Sequence, residues 1–198
     1  MNLYLQLSFF IIAYLLGSIP FGYVLTKLAG YGDIRAIGSG NIGATNVLRT
    51  GNKILAFFTL LLDGGKGAVG ILLTQQIFPE IAPMVGLLIL IGHLFPVWLD
   101  FKGGKGVATA VGILLGLAWP VGLAVMGIWC LIAFATRTSS LAALIAIGLA
   151  PAFVIAFGEG EWMWMSVCMM MLIVSRHGDN IKRLLAGNEP KIGASLDH

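Results

Sequence analysis

Charge is scarce in this sequence. Only 11% of its 198 residues are Asp, Glu, Lys or Arg, where a soluble domain carries about 25%. The AVILMFWYC residues make up 58% of the chain, and mean hydropathy is +0.94. One soluble domain of this length could not hide so much apolar surface, which excludes a cytosolic enzyme and a disordered chain. Cysteine is nearly missing. Cys130 and Cys168 both sit in apolar runs, so neither a disulfide framework nor a CxxC metal site is expected. Residues 1–6 hold no Lys or Arg, so the basic start of a cleavable signal is lacking. Carboxylates are few and dispersed, so we expect no metal and no other cofactor. No strand–GxGxxG–helix unit is present for a dinucleotide, and nothing points to a nucleic-acid partner.

What remains is long apolar runs, at about Leu3–Leu28, Ile54–Phe78, Met84–Leu99, Val107–Trp119, Pro120–Thr136, Leu141–Phe157 and Trp162–Ser175. A helix needs about 20 residues to span a bilayer, with about 17 as the short limit. The fourth and seventh runs fall short, so five crossings compete with seven. Charge placement tests the topology independently. With the N-terminus outside and seven crossings, the inner segments hold Lys27, Arg35, Arg49, Lys53, Lys102, Lys105, Arg137, Arg176, Lys182, Arg183 and Lys191. The outer segments hold Glu80, Glu159 and Glu161 and no base; Lys66 lies within the second run. That asymmetry satisfies the positive-inside rule. The expected fold is an all-α integral membrane protein of about seven transmembrane helices, N-terminus periplasmic and C-terminus cytosolic. Residues 1–198 form one polytopic domain with cytosol-facing loops at 31–53, 100–106 and 176–198. Gly86, Gly92, Gly112, Gly116, Gly122, Gly127 and Gly148, inside the runs, read as close-packing positions.

The unusual polar residues gather in three inner segments. Gly38-Ser39-Gly40-Asn41-Ile42-Gly43-Ala44-Thr45-Asn46-Val47-Leu48-Arg49 alternates glycine with hydroxyl and amide side chains before an arginine. Such backbone can form an anion-binding nest, and a guanidinium fork suits phosphate. The alternative is an ordinary glycine-rich turn. Lys102-Gly103-Gly104-Lys105-Gly106-Val107-Ala108-Thr109 opens a span and joins a lysine and glycines to a helix N-terminus, a phosphate cradle. It is no Walker A loop, and its alternative is headgroup anchoring. In Arg176–Leu185, a helix places His177, Asn180, Ile181 and Leu184 on one face, with Ile181, Leu184 and Leu185 pressing that face onto the bundle. The alternative is a basic amphipathic tail. His198 reads as incidental.

Within the second run, Thr59, Asp63, Lys66 and Gly70 share a helical stripe. Asp63 and Lys66 either pair structurally or line a polar groove. His93 reads as a residue bonded to a neighbouring helix. Trp162, Trp164 and the methionines of 163–171 read as an interfacial belt with lipid-facing bulk. Two function classes fit this chain: an enzyme joining a phosphorylated polar substrate to a lipid, and a small-anion transporter. Polar motifs at one face only favour the enzyme, since transporters tend to show related halves and broken helices near the midplane.

The segments Gly38–Asn46, Lys102–Thr109 and His177–Leu184, with the opening Ala13–Ile19, resemble in order and spacing the motifs of the bacterial acyl-phosphate:glycerol-3-phosphate acyltransferase family. Asp179 stands where that family usually has glutamate, and Gly64-Gly65 before Lys66 is atypical. The absence of H-x-x-x-x-D, with Trp98 and Lys182 five residues after His93 and His177, argues against the common acyl-CoA glycerolipid acyltransferases. There is likewise no D-x-x-D-G…D-x-x-x-D cluster of the CDP-alcohol transferases. The resemblance implies transfer of a fatty acyl group from acyl phosphate to the 1-position of glycerol 3-phosphate. The products are lysophosphatidic acid and phosphate, in the first acylation of phospholipid synthesis at the bacterial plasma membrane. It implies no metal, a membrane-lipid setting and coupling to a soluble acyl-carrier-protein:phosphate acyltransferase. Ser39, Arg49, Lys105, His177 and Asn180 are then the expected catalytic residues. Gly40, Asn41, Thr45, Asn46, Asp63, Lys66, Gly103, Gly104 and Gly106 are the expected substrate-binding residues.

Overall fold

Proline and glycine decide where this chain bends. The first apolar run, expected as one span, is two helices, α1 (Leu3–Ser18) and α2 (Phe21–Leu28), bent by 44°. Pro20 lies in the break, where it removes a backbone N–H and stops the helix. The computed structural model describes residues 3–157 and 160–193; Glu159 and His198 lie outside them. A loop carrying the short α3 (Ala44–Val47) leads to α4 (Lys53–Ile77), whose start is capped by the Asn52 side chain accepting from Leu55 N–H at 2.9 Å. Then follow α5 (Ala82–Leu94), α6 (Val107–Leu117), α7 (Trp119–Thr136), α8 (Ser139–Ala156), α9 (Met163–Ser175) and α10 (Gly178–Leu185). No strand occurs among the described residues.

Four helical stretches, Lys53–Ile77, Pro79–Leu99, Trp119–Thr136 and Ser139–Ala156, are long and apolar enough to cross a membrane, and the bent α1–α2 pair makes up to five. Val107–Leu117 and Gly160–Ser175 are shorter apolar helices, the same two runs whose length fell short in the sequence. One core of buried residues from α1 and α4 to α9 fills the bundle, with Ile71, Ile89, Leu90, Ile113, Leu114, Met165 and Ile173 at its centre. The glycines let backbones touch. A Cβ on Gly112 of α6 would lie 1.9 Å from the Gly64 carbonyl oxygen of α4. One on Gly92 of α5 would lie 2.2 Å from that of Tyr14 in α1. Gly86, Gly116 and Gly122 are similarly crowded, whereas Gly127 and Gly148 have open space, so packing within the chain does not explain those two. The belt reading of α9 also needs correction. Trp162, Met165 and Met169 are buried in the core, and only one face of α9, with Trp164 and Met171, is exposed.

Glu80 and Glu161 line a depression at one end. At the other, the second and third polar segments are tied by contacts of Lys105 with Asn180 and Arg176 with Gly103, Lys191 ties the tail to Thr136 and Thr138, and the first segment lines the same groove through Ser39, Gly40 and Asn41.

Candidate active site

The first loop is built around a left-handed pair. Gly38 (φ 55°) and Gly40 (φ 69°) turn the chain on either side of Ser39, a conformation that suits glycine. Asn46 holds the turn from below. Its Oδ1 accepts from Ser39 N–H at 3.0 Å and from Ser39 Oγ at 3.2 Å, and its Nδ2 donates to the carbonyls of Ile34 and Ile37. Asn46 is 2% exposed and its bonding capacity is filled inside the loop. These bonds make Asn46 a support of the Ser39 turn, where the sequence places it among substrate ligands. Asn41 accepts from Gly43 N–H at 2.9 Å, and Thr45 is exposed. Arg49 packs against Gly38, where a Cβ would lie 2.7 Å from Arg49 Cδ. Ile34, Ile42, Val47, Ala56 and Leu99 make a small separate core beneath.

The second loop leaves α5 through Asp100 and Phe101, both left-handed, and enters α6 at Gly106 (φ 82°). The expected amide cradle is not formed as such. Gly103 N–H donates to the Leu94 carbonyl at 3.2 Å and Gly104 N–H to that of His93 at 3.1 Å. These amides fasten the loop to the end of α5 and are not free for an anion. Gly104 and Gly106 are glycine for want of room: a Cβ would meet His93 Nε2 at 2.2 Å and Leu90 Cδ1 at 2.5 Å. Lys105 is the side chain this loop presents.

Lys105 Nζ donates to Asn180 Oδ1. Asn180 Nδ2 donates to Glu189 Oε1, which also accepts from Ser140 Oγ at 2.6 Å, while Glu189 Oε2 accepts from Arg183 Nε at 2.7 Å. Burial pushes the Lys105 ammonium down to about 8, with Glu189 opposing the fall and Arg183 adding to it. Burial pushes the Glu189 carboxyl up, but hydrogen bonds from Ser140, Asn180 and Arg183 outweigh it and hold the group below its ordinary value. His177, 2% exposed, starts α10 and its Nδ1 lies 2.7 Å from the Ile173 carbonyl. A carbonyl only accepts, so Nδ1 carries the proton and Nε2 keeps a free lone pair. Burial lowers the imidazole below its ordinary value, partly offset by that carbonyl. Asn180 is 5% exposed. Leu185 is 86% exposed, so it does not press α10 onto the bundle as expected, while Ile181 and Leu184 are half-buried.

Between these loops runs an open groove of about 360 Å³, lined by Ser39, Gly40, Asn41, Gly103, Lys105, Ser175, Arg176, Gly178 and Asp179. Arg176 was not singled out in the sequence. Its Nη2 donates to the Gly103 carbonyl at 3.2 Å, and its guanidinium stacks over Phe95. Asp63 and Lys66 do not reach the groove. They are 2% and 4% exposed and pair at 3.1 Å inside the bundle, the pairing that the sequence offered as the alternative to lining a polar groove. Ser140 and Glu189 were also missed. A serine at the start of an apolar helix and a lone tail glutamate carry no pattern until the fold joins them. Among the described residues, no group of three or more His, Cys, Asp or Glu could hold a metal ion.

Residues 7–187 match the glycerol-3-phosphate acyltransferase family. Among curated relatives, the glycerol-3-phosphate acyltransferase of Paramagnetospirillum magneticum is 56% identical over 181 residues, covering 91% of this chain and 90% of the relative. That of Caulobacter vibrioides is 56% identical over 196 residues, covering 96% and 89%. Two crystal structures of PlsY, an integral membrane glycerol 3-phosphate acyltransferase, superpose on the chain. The glycerol 3-phosphate form gives a TM-score of 0.90 at 40% identity, covering 94% of this chain and 95% of that one. The lysophosphatidic acid form gives 0.88 at 39% identity with the same coverage.

Proposed function

Because this chain belongs to the glycerol-3-phosphate acyltransferase family, we propose that its groove joins a fatty acyl group from acyl phosphate to the 1-hydroxyl of glycerol 3-phosphate. The products are lysophosphatidic acid and phosphate, consistent with the two ligand forms of the similar PlsY structures. The family assignment leaves the anion-transporter alternative without support. The observation that carries the site reading is the convergence of Ser39, Lys105 and Arg176, distant in sequence, on one groove backed by buried His177 and Asn180.

Acyl phosphate is a mixed anhydride and already activated. The glycerol hydroxyl attacks the acyl carbon, the tetrahedral oxyanion collapses, and the bond to phosphate breaks as the hydroxyl proton departs. No covalent nucleophile is needed. The site must hold two phosphorylated molecules together against their repulsion, and positioning of this kind can lower a barrier by about 7–11 kcal/mol. Lys105 and Arg176 supply charge for the phosphates, with Arg49 beside Gly38 behind the first loop. The Asn41 side-chain NH2 supplies a neutral donor to a phosphate or to the oxyanion, and Ser39 Oγ does so when its hydrogen turns from Asn46 Oδ1 toward the substrate. His177, with Nε2 unprotonated, accepts a hydrogen bond or the proton from the glycerol hydroxyl. Asn180 steers the Lys105 ammonium.

We read the chain as one polytopic domain with seven crossings in a bacterial plasma membrane, N-terminus periplasmic and groove cytosolic. The support is the gathering of eleven of the twelve Lys and Arg at the groove end. The acyl phosphate reaches the groove from the lipid side, in functional coupling with a soluble acyl-carrier-protein:phosphate acyltransferase. The test is purified protein with synthetic acyl phosphate and labelled glycerol 3-phosphate, and acyl-CoA in parallel. Lysophosphatidic acid formed with acyl phosphate alone is the expected result; equal turnover with acyl-CoA would reject the donor assignment.

A further inference from the structure

Beneath the Lys105 loop lies a buried ionic cluster that the chemistry above does not use. Lys66 Nζ lies 3.1 Å from Asp63 Oδ1 and 2.9 Å from His93 Nδ1, and donates to the Ile19 carbonyl at 2.8 Å. Asp63 also stands 3.6 Å from His93 Nδ1. All three side chains are almost wholly buried. A charged pair inside a helical bundle carries a large desolvation cost, and replacing it by apolar residues is often no worse for stability. Its presence here therefore calls for a role beyond holding α4 to α5.

The far edge of the imidazole supplies one. A charged Lys66 offers only donors, so Nδ1 accepts and the ring proton resides on Nε2. That Nε2 occupies the space a side chain at Gly104 would need: a Cβ there would lie 2.2 Å away. The same residue's carbonyl accepts the Gly104 N–H at 3.1 Å. The His93 ring and backbone thus both bear on the residue next to Lys105. The Ile19 bond runs from the same ammonium to the α1–α2 break, upstream of the Ser39 loop.

We propose that His93 is a positioning residue for Lys105: Asp63 and Lys66 fix its ring, and the ring edge sets how far the Gly104 backbone, and with it the Lys105 ammonium, stands into the groove. This rests on the reading of Lys105 as a phosphate ligand. A residue that only stabilised the fold would change the melting temperature and the amount of protein, not substrate affinity.

The test compares His93→Asn, His93→Ala, Gly104→Ala, Lys105→Ala and the double variant His93→Ala/Gly104→Ala, by steady-state kinetics for acyl phosphate and glycerol 3-phosphate and by thermal unfolding. His93→Asn keeps an acceptor for Lys66 but withdraws the ring edge. We expect it to unfold near the wild-type temperature while KM for one phosphorylated substrate rises about tenfold and kcat moves less. Gly104→Ala alone should be severe, because its Cβ strikes the ring. In the double variant the space is open, so the combined loss should be at least about fivefold smaller than the product of the two single losses. A KM within about twofold of wild type in His93→Asn, or single losses that simply multiply, would overturn the inference while a severe Lys105→Ala leaves the groove reading standing. A silent Lys105→Ala would overturn both. If His93→Ala fails to accumulate, His93→Asn and the severity of Gly104→Ala decide.

Discussion

Lys105 and Asn180, 75 residues apart, share a hydrogen bond that joins the second polar loop to the last helix. Its direction is set from behind. Glu189 accepts from Asn180 Nδ2, which leaves only the amide oxygen to face the ammonium. Asn180→Ala removes that acceptor and leaves Lys105 and Glu189 facing a cavity. Loss of catalytic efficiency of at least about thirtyfold is expected, with membrane insertion unchanged, by kinetics on purified protein.

Lys105 itself separates two readings. As a headgroup anchor, Lys105→Ala loses about 1 kcal/mol of surface attraction, and turnover falls less than about tenfold. As a phosphate ligand in a partly dehydrated groove, it loses at least about a hundredfold in kcat/KM. The second outcome is expected, and radiolabel incorporation into lysophosphatidic acid measures it.

The pH profile carries its own sign. Lys105 titrates at about 8, lowered by burial, so its charged form is complete below that pH and is lost as pH rises through it. An exposed lysine would hold its charge to about pH 10. The alkaline limb of kcat/KM, which reports the free enzyme, is therefore expected near 8. Glu189 favours the ammonium, so Glu189→Gln should move that limb to lower pH. A limb unmoved by Glu189→Gln would show that another group titrates there.

His177→Gln and His177→Ala distinguish binding from proton transfer. An amide still bonds a hydroxyl or phosphate but cannot hold a proton. Severe loss in both variants is expected if Nε2 takes the glycerol proton; substantial activity in His177→Gln alone would assign a binding role. Near wild-type kinetics in both, with normal expression, would remove His177 from the site.

Topology is open to labelling. With Cys130 and Cys168 replaced, Ala186→Cys should react with a membrane-impermeant thiol reagent only in inverted vesicles, and Glu80→Cys in intact spheroplasts. Both positions are exposed. Labelling of Ala186→Cys from the outside would reverse the proposed orientation.

The sequence displayed the parts of this site that rest on composition and period. Ser39, Asn41 and Lys105 stand in glycine-rich loops whose density marks them, and outside the groove the Thr59–Asp63–Lys66–Gly70 stripe is buried along its length, as its period indicates. It did not display which polar groups are consumed internally. Asn46 looks like a ligand in the sequence, yet its four bonds close on backbone and side-chain groups of residues 34–39. The amides of Gly103 and Gly104 are taken by carbonyls at the end of α5, a pairing no local pattern encodes. Ser140 and Glu189 are 49 positions apart, and only the packing of α8 against the returning tail gives them a common purpose. Helix lengths were legible to a turn or so, except at Pro20, where a proline in an apolar run bent the first span.

The placement of Glu189 also bears on how the enzyme comes into being. Every helix among the described residues is laid down before residue 189 is synthesised, and the segment after α10 then returns to the α7–α8 turn, where Ile192 N–H donates to the Arg137 carbonyl at 2.7 Å. Glu189 can accept from Asn180 only once that strap has docked. A bundle still being threaded into the bilayer therefore has these helices before Ser140, Asn180 and Arg183 have Glu189 to bond, and the acceptor that orients Asn180 is a latch set after them.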